Sequence, residues 1–181
     1  MTNTPAITMD DKAAILLEEA RAAHENYLIK QQDADLEKAI EYYIDAIKVN
    51  PSISESYYRL ASLLLMKGQI SIEGALEQCQ TALTLEPNNV NAHIYSGYFQ
   101  CLNGNFEEAE KEFKLAVSNS GKNSARPRLF LSKVLFSRIK NHDSSVKDVM
   151  KFLYYFLSGS MMIMWDCPSL KMFCKFLAND F

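Results

Sequence analysis

Three stretches of this chain share one spacing, and that repetition constrains the fold more than any other feature. They read AIEYYIDAIKVNP from residue 39, ALEQCQTALTLEP from 75 and AEKEFKLAVSNSG from 109. Each fits A-x3-(large)-x2-A-x4-P. The members are Ala39, Tyr43, Ala46 and Pro51, then Ala75, Cys79, Ala82 and Pro87, then Ala109, Phe113, Ala116 and Gly121 in place of the proline. The leading alanines are 36 residues apart (39 to 75) and then 34 (75 to 109). A fixed period of this size is the mark of an array built from one supersecondary unit.

The residue types explain the unit. Positions 0, +4 and +7 lie along one face of a helix. A small residue there lets a neighbouring helix come close, and a large one fills the gap between helices. Proline ends the run because it has no N–H to donate and restricts the residue before it. Each stretch is therefore the second helix of a helical hairpin. Cys79 stands where the other copies carry Tyr43 and Phe113, and a small apolar filler suits that place better than a reactive thiol.

The first helices are visible as well. Tyr57, Leu60, Ala61 and Leu64 precede the second copy; His93, Ser96, Gly97 and Gln100 precede the third. Ala61 and Gly97 mark the tight crossing inside each hairpin. Gly68 and Gly104 sit at the turns, where a glycine takes positive φ after a helix. Thr8 with Asp11, and Ser52 with Glu55, have capping-box spacing, and Asn105 is placed to cap the helix of NFEEAE. Arg128, Leu131, Ser132 and Leu135 open a fourth hairpin. Its second helix has no clear counterpart, because the expected alanine near 144 falls in NHDSSV; a shifted alignment on Ser145, Val149 and Phe152 is the alternative.

This pattern resembles the tetratricopeptide repeat, a helix–turn–helix unit of about 34 residues. The resemblance covers roughly residues 54 to 121 plus the second helix of the preceding hairpin. It implies an all-α solenoid, a TPR-like superhelix, with C-terminal capping helices and eight to nine helices in total. The sequence divides into a flexible N-terminus (1–8), a repeat domain (9–143), and a degenerate repeat with hydrophobic capping helices (144–181). Two departures stand out. The second repeat has two extra residues in its turn, and the opening helix of the first, within KAAILLEEARAAHENYLIKQQ, is longer than the unit requires.

In this family partners often bind the concave face lined by the first helices. Carried over position by position, that face holds Tyr58, Arg59, Ser62 and Met66 in the second repeat. It holds Asn91, Ile94, Tyr95, Tyr98 and Leu102 in the third, and Leu129 and Lys133 in the incipient fourth. Tyrosines supply large, rigid contact area with a polar tip. Family members that grip acidic chaperone tails use several Lys, Arg and Asn here; this face has Arg59, Asn91 and Lys133 but is otherwise aromatic and aliphatic, so the resemblance stops short of that clamp.

From about Ser144 the chain is rich in Phe, Tyr and Met, with a short helix expected to begin near Pro168. This region is either a cap over the last repeat's apolar edge or a docking surface. Its most apolar window, Val149 to Trp165, is interrupted by Lys151 and SGS, and falls short of the roughly 18 apolar residues a membrane span needs.

The rest of the sequence excludes chemistry. His24, His93 and His142 lie on different elements, so no metal site is expected. The four cysteines show no ligand spacing; Cys167 and Cys174, seven apart, are read as core thiols. There is no phosphate-cradling glycine loop and no nucleophile elbow. A net charge of −3, with only RPR and SRIKN as basic runs, gives no nucleic-acid surface. No secretory signal opens the chain, and with reduced thiols this places it in the cytoplasm. The expectation is a non-catalytic, cofactor-free scaffold or adaptor that binds a peptide or helical segment of another protein. The alternatives are a small chaperone for a secreted or membrane client, or a peripheral membrane-associated assembly factor acting through the C-terminal apolar region. Oligomeric state is left open.

Overall fold

The computed structural model describes residues 8–121, 124–140 and 146–163. Among them are eight α-helices and no strands: α1 Met9–Lys30, α2 Asp33–Val49, α3 Ser54–Met66, α4 Ile72–Leu85, α5 Val90–Leu102, α6 Phe106–Asn119, α7 Ala125–Lys140 and α8 Val146–Ile163. They form two compact units, one ending at Pro87 and the other starting at Asn88. In the first, α1 packs on α2, α2 on α3 and α3 on α4; in the second, α5 packs on α6 and α7, α6 on α7 and α7 on α8.

The nine positions of the three sequence motifs are among the most buried of the described residues. Ala39, Tyr43, Ala46, Ala75, Cys79, Ala82, Ala109, Phe113 and Ala116 are all 1% exposed or less. In the first unit Ala39, Ile40 and Tyr43 of α2 join Ala20 and Ala23 of α1 and Leu60 and Leu63 of α3. In the second, Ala109, Phe113 and Ala116 of α6 join Ile94 and Cys101 of α5 and Leu131, Val134 and Leu135 of α7. Gly97 shows why the small position is small. A Cβ there would stand 2.8 Å from Cε1 of Phe113, inside van der Waals contact.

The turns follow the spacing. Five residues (67–71) join α3 to α4 and three (103–105) join α5 to α6, which accounts for the two extra residues. Gly68, Gly104 and Gly121 have φ of +67°, +77° and +69°. Thr8 caps α1 in a true capping box: Asp11 N–H donates to Thr8 Oγ1 at 3.1 Å, and Thr8 N–H donates to Asp11 Oδ2 at 3.0 Å.

Two caps differ from expectation. The residue preceding α3 is Ile53, not Ser52, so Glu55 lies one position too early to close a capping box. Its carboxylate accepts from Arg21 of α1 and Arg59 instead. Asn105 does stand at the start of α6, but its side chain donates to Gln100 Oε1 at 3.0 Å rather than capping. In both cases a partner outside the helix start wins the side chain.

The fourth hairpin has the second helix that the sequence left unclear. It is α8, packed on α7, with the ring of Phe152 5.6 Å from that of Phe136. The helix expected near Pro168, together with His142, Cys167 and Cys174, lies outside the described residues, as do residues 1–7.

Candidate functional site

The candidate residues sort by register within the first helix of each hairpin. Tyr58, Ile94 and Leu129 stand three residues before Ala61, Gly97 and Ser132. All three are core residues, 2%, 3% and 3% exposed, so in this structure they pack inward rather than lie open on the face proposed for them. Residues three apart share a helix face. The small residue is at the hairpin crossing, so its i−3 neighbour is drawn into the same packed layer.

In the first unit the remaining candidates are only partly open. The Arg59 guanidinium donates through Nε to Glu55 Oε1 at 2.6 Å, and Arg21 of α1 donates through Nε to the same oxygen at 2.8 Å. Burial raises the Glu55 carboxyl, but the two guanidiniums outweigh it and hold it below its usual range. Arg59 is therefore already committed to a carboxylate. Ser62 Oγ donates to the Arg59 carbonyl at 2.8 Å, and Met66 is exposed. Beneath this network His24 is buried edge-on to Tyr43, with Nδ1 lacking a hydrogen-bond partner. Burial, with Arg59 nearby, pushes its imidazole down to about 4.

The second unit keeps a more open set. Tyr98 and Leu102 of α5 are exposed, and Asn91 and Tyr95 half-buried. Both tyrosine rings lean on buried Phe99, with centroids 6.1 Å from it for Tyr95 and 5.8 Å for Tyr98, which fixes their orientation. Arg126 of α7 reaches across, its Nη1 3.5 Å from Asn91 Oδ1. Lys133 lies close enough to Cys101 to act on its thiol, which burial nonetheless pushes up to about 12. Neither α5 nor α7 contains an aspartate or glutamate. α6 carries four acidic residues, Glu107, Glu108, Glu110 and Glu112. Glu112 of α6 reaches α5, its Oε2 2.8 Å from Nδ1 of buried His93.

Arg126 was missed from the sequence set. It occupies the same register as Asn91 and Glu55, six residues before the small position, and that register would have found it. Cys79 and Cys101 are both buried free thiols. Among the described residues no group of His, Cys, Asp or Glu could hold a metal ion, and no helix is long and apolar enough to cross a membrane.

A family model for the tetratricopeptide repeat matches residues 28–53, the end of α1 and all of α2. The fold is shared with solved structures. The Sgt2 TPR domain from Aspergillus fumigatus is 17% identical at a TM-score of 0.62, covering 78% of this chain and 89% of that one. MamA is 16% identical at 0.60, covering 86% and 81%. The first TPR of Spaghetti (RPAP3), bound to the HSP90 peptide SRMEEVD, is 19% identical at 0.57, covering 70% and 94%. The chain thus shares the helical-hairpin fold of these tetratricopeptide-repeat structures.

Proposed function

We propose that this protein is a non-catalytic interaction module that holds an extended or helical segment of another protein against the exposed first-helix face of its second unit. The observation that carries this reading is the α5–α7 surface. Tyr95, Tyr98 and Leu102 offer rigid apolar area, while Asn91, Arg126 and Lys133 supply donors, on two helices that hold no carboxylate. A segment bearing apolar side chains and one or more carboxylates fits that chemistry. The peptide SRMEEVD held by the similar Spaghetti domain is of this kind. In the first unit Arg59 is already paired with Glu55.

The test is affinity capture from the native cell with the wild-type protein, identification of the partner by mass spectrometry, and titration of that partner. Tyr98→Ala should weaken binding by about 2 kcal/mol or more, as a hot-spot truncation does. Lys133→Glu should weaken it too, and the loss should shrink as salt screens the wild-type charge. Glu107→Ala on the outer helix α6 should change affinity little. Full affinity in both Tyr98→Ala and Lys133→Glu would remove the site from this face.

A further inference from the structure

Asn103–Gly104 is the single Asn-Gly pair of the sequence, and it closes α5. Both residues are exposed. Gly104 has φ +77° and nothing stands within 4 Å of where a Cβ would be, so its backbone nitrogen is open to approach. An asparagine followed by glycine can react with its own chain. The Gly104 nitrogen attacks Cγ of Asn103. The new N–Cγ bond closes a five-membered succinimide, the Cγ–Nδ2 bond breaks, and ammonia leaves with the proton that the Gly104 N–H gives up. Water then opens the ring. Cleavage between Cγ and the nitrogen leaves an aspartate. Cleavage at the main-chain carbonyl leaves an isoaspartate, whose main chain runs through Cβ and Cγ. Nothing is oxidised or reduced.

The fold holds this chemistry back. Asn103 is the C-cap of α5, with φ −82° and ψ 0°. Ring closure needs the Gly104 nitrogen to eclipse Cβ; at this ψ it eclipses the Asn103 nitrogen instead, roughly a third of a turn away. Two hydrogen bonds lock that conformation. Gly104 N–H donates to the Cys101 carbonyl at 3.1 Å and Asn105 N–H to the Gln100 carbonyl at 2.9 Å, the pattern that closes a helix on a left-handed residue. The end of α3 makes the same turn with a lysine at the cap. Lys67 has φ −78° and ψ −6°, and the N–H groups of Gly68 and Gln69 donate to the carbonyls of Leu65 and Leu64, both at 2.9 Å. The turn therefore does not require an asparagine. We infer that Asn103 is a spontaneous modification site that reacts only when the α5–α6 turn opens. Its isoaspartate product lengthens the main chain by one atom at the cap, which breaks the register of both bonds and loosens the hairpin. Either product puts a carboxylate beside Leu102, at the end of a helix that has none, where the helix dipole disfavours it.

The test incubates the full chain at mildly alkaline pH, in native buffer and in guanidinium chloride that unfolds it. Each asparagine is followed by peptide mass spectrometry, with isoaspartate separated from aspartate by chromatography. Asn103 should convert to both products, faster as pH rises because the attacking nitrogen must lose its proton. Conversion should be several-fold faster in the unfolded chain than in the native one. Asn103→Gln and Asn103→Lys should fold like the wild type. After ageing in native buffer, the melting midpoint of the wild type should fall while those of both variants hold. Conversion at Asn103 no faster than at the other asparagines of the unfolded chain would remove the site. Equal rates in the native and unfolded chains would show that the turn does not gate it and would overturn the proposal. An unchanged midpoint in wild type that carries isoaspartate at 103 would refute the loosening of the hairpin.

Discussion

Replacing Gly97 by alanine should destabilise the protein, although alanine is the better helix former. Gly97 lies inside α5, and the exchange by itself gains about 1 kcal/mol of helix propensity. Against that, the new Cβ would stand 2.8, 2.9 and 3.0 Å from Cε1, Cζ and Cδ1 of Phe113. Carbon atoms rest at about 3.5–4.0 Å, so the ring must retreat by somewhat less than 1 Å. It has nowhere to go. Phe113 is 1% exposed, and it stacks on Phe130 of α7 at 5.4 Å between centroids and 15° between planes. Overpacking a closed site costs about 1–3 kcal/mol, which leaves a net loss of about 1 kcal/mol and up to 2. Gly74 of α4 is the internal control. A Cβ there meets Ile70 Cβ at 3.7 Å and Ser71 Oγ at 3.8 Å, ordinary contacts, so Gly74→Ala should stabilise by about 0.5–1 kcal/mol. The assay is urea unfolding followed by far-UV circular dichroism, with Phe113→Leu added to Gly97→Ala. The smaller side chain should recover part of the loss, a coupling of about 1 kcal/mol between touching residues. If Gly97→Ala raises the midpoint as Gly74→Ala does, the close approach of α5 and α6 is wrong.

Ala82→Phe and Ala109→Leu, both at fully buried positions, should each cost about 1–3 kcal/mol, and unchanged melting temperatures in both would show that the repeat register is misassigned. His24 titrates at about 4 in the folded chain against an ordinary 6.5, so the unfolded chain binds the extra proton first. Its contribution is complete above about pH 6.5 and is lost as pH falls from there to about 4. His24→Leu should therefore flatten the stability–pH curve in that window, and an equally steep curve would refute the burial argument. Cys79 and Cys101 should resist alkylation in the native protein and react once unfolded, since burial holds the Cys101 thiol up to about 12; fast native labelling mapped to either residue would show the core is open there.

The helices, their pairing and the innermost residues were legible in the sequence because they are written as spacing along single helices. Small residues at Ala39, Ala75 and Ala109, with large ones four further on, carry the packing instruction in a period that any copy repeats. The turn glycines were legible for the same local reason: positive φ at Gly68 and Gly104 is a property of one residue and its helix end. Helix starts were less so. Ser52 and Asn105 have the right chemistry for caps, but α3 starts one residue later, after Ile53, Glu55 reaches Arg21 of α1, and the Asn105 side chain is taken by Gln100 of α5.

The exposed first-helix face needed the tertiary structure most. A helical register says which residues share a face; it does not say which neighbour covers that face. Only packing decided that Tyr58, Ile94 and Leu129 are core while Tyr98 and Leu102, on the same kind of helix, reach solvent. Only packing brought Arg21 of α1 to the Glu55–Arg59 pair, which is itself an i,i+4 pair of α3, and Arg126 beside Asn91. It also decided that α8 completes the fourth hairpin, where the alanine signature is missing and the rings of Phe136 and Phe152 meet at a 40° tilt. Burial and charge pairing depend on residues distant in sequence. The period determines the scaffold, and the side chains that meet across it determine what is left exposed to bind.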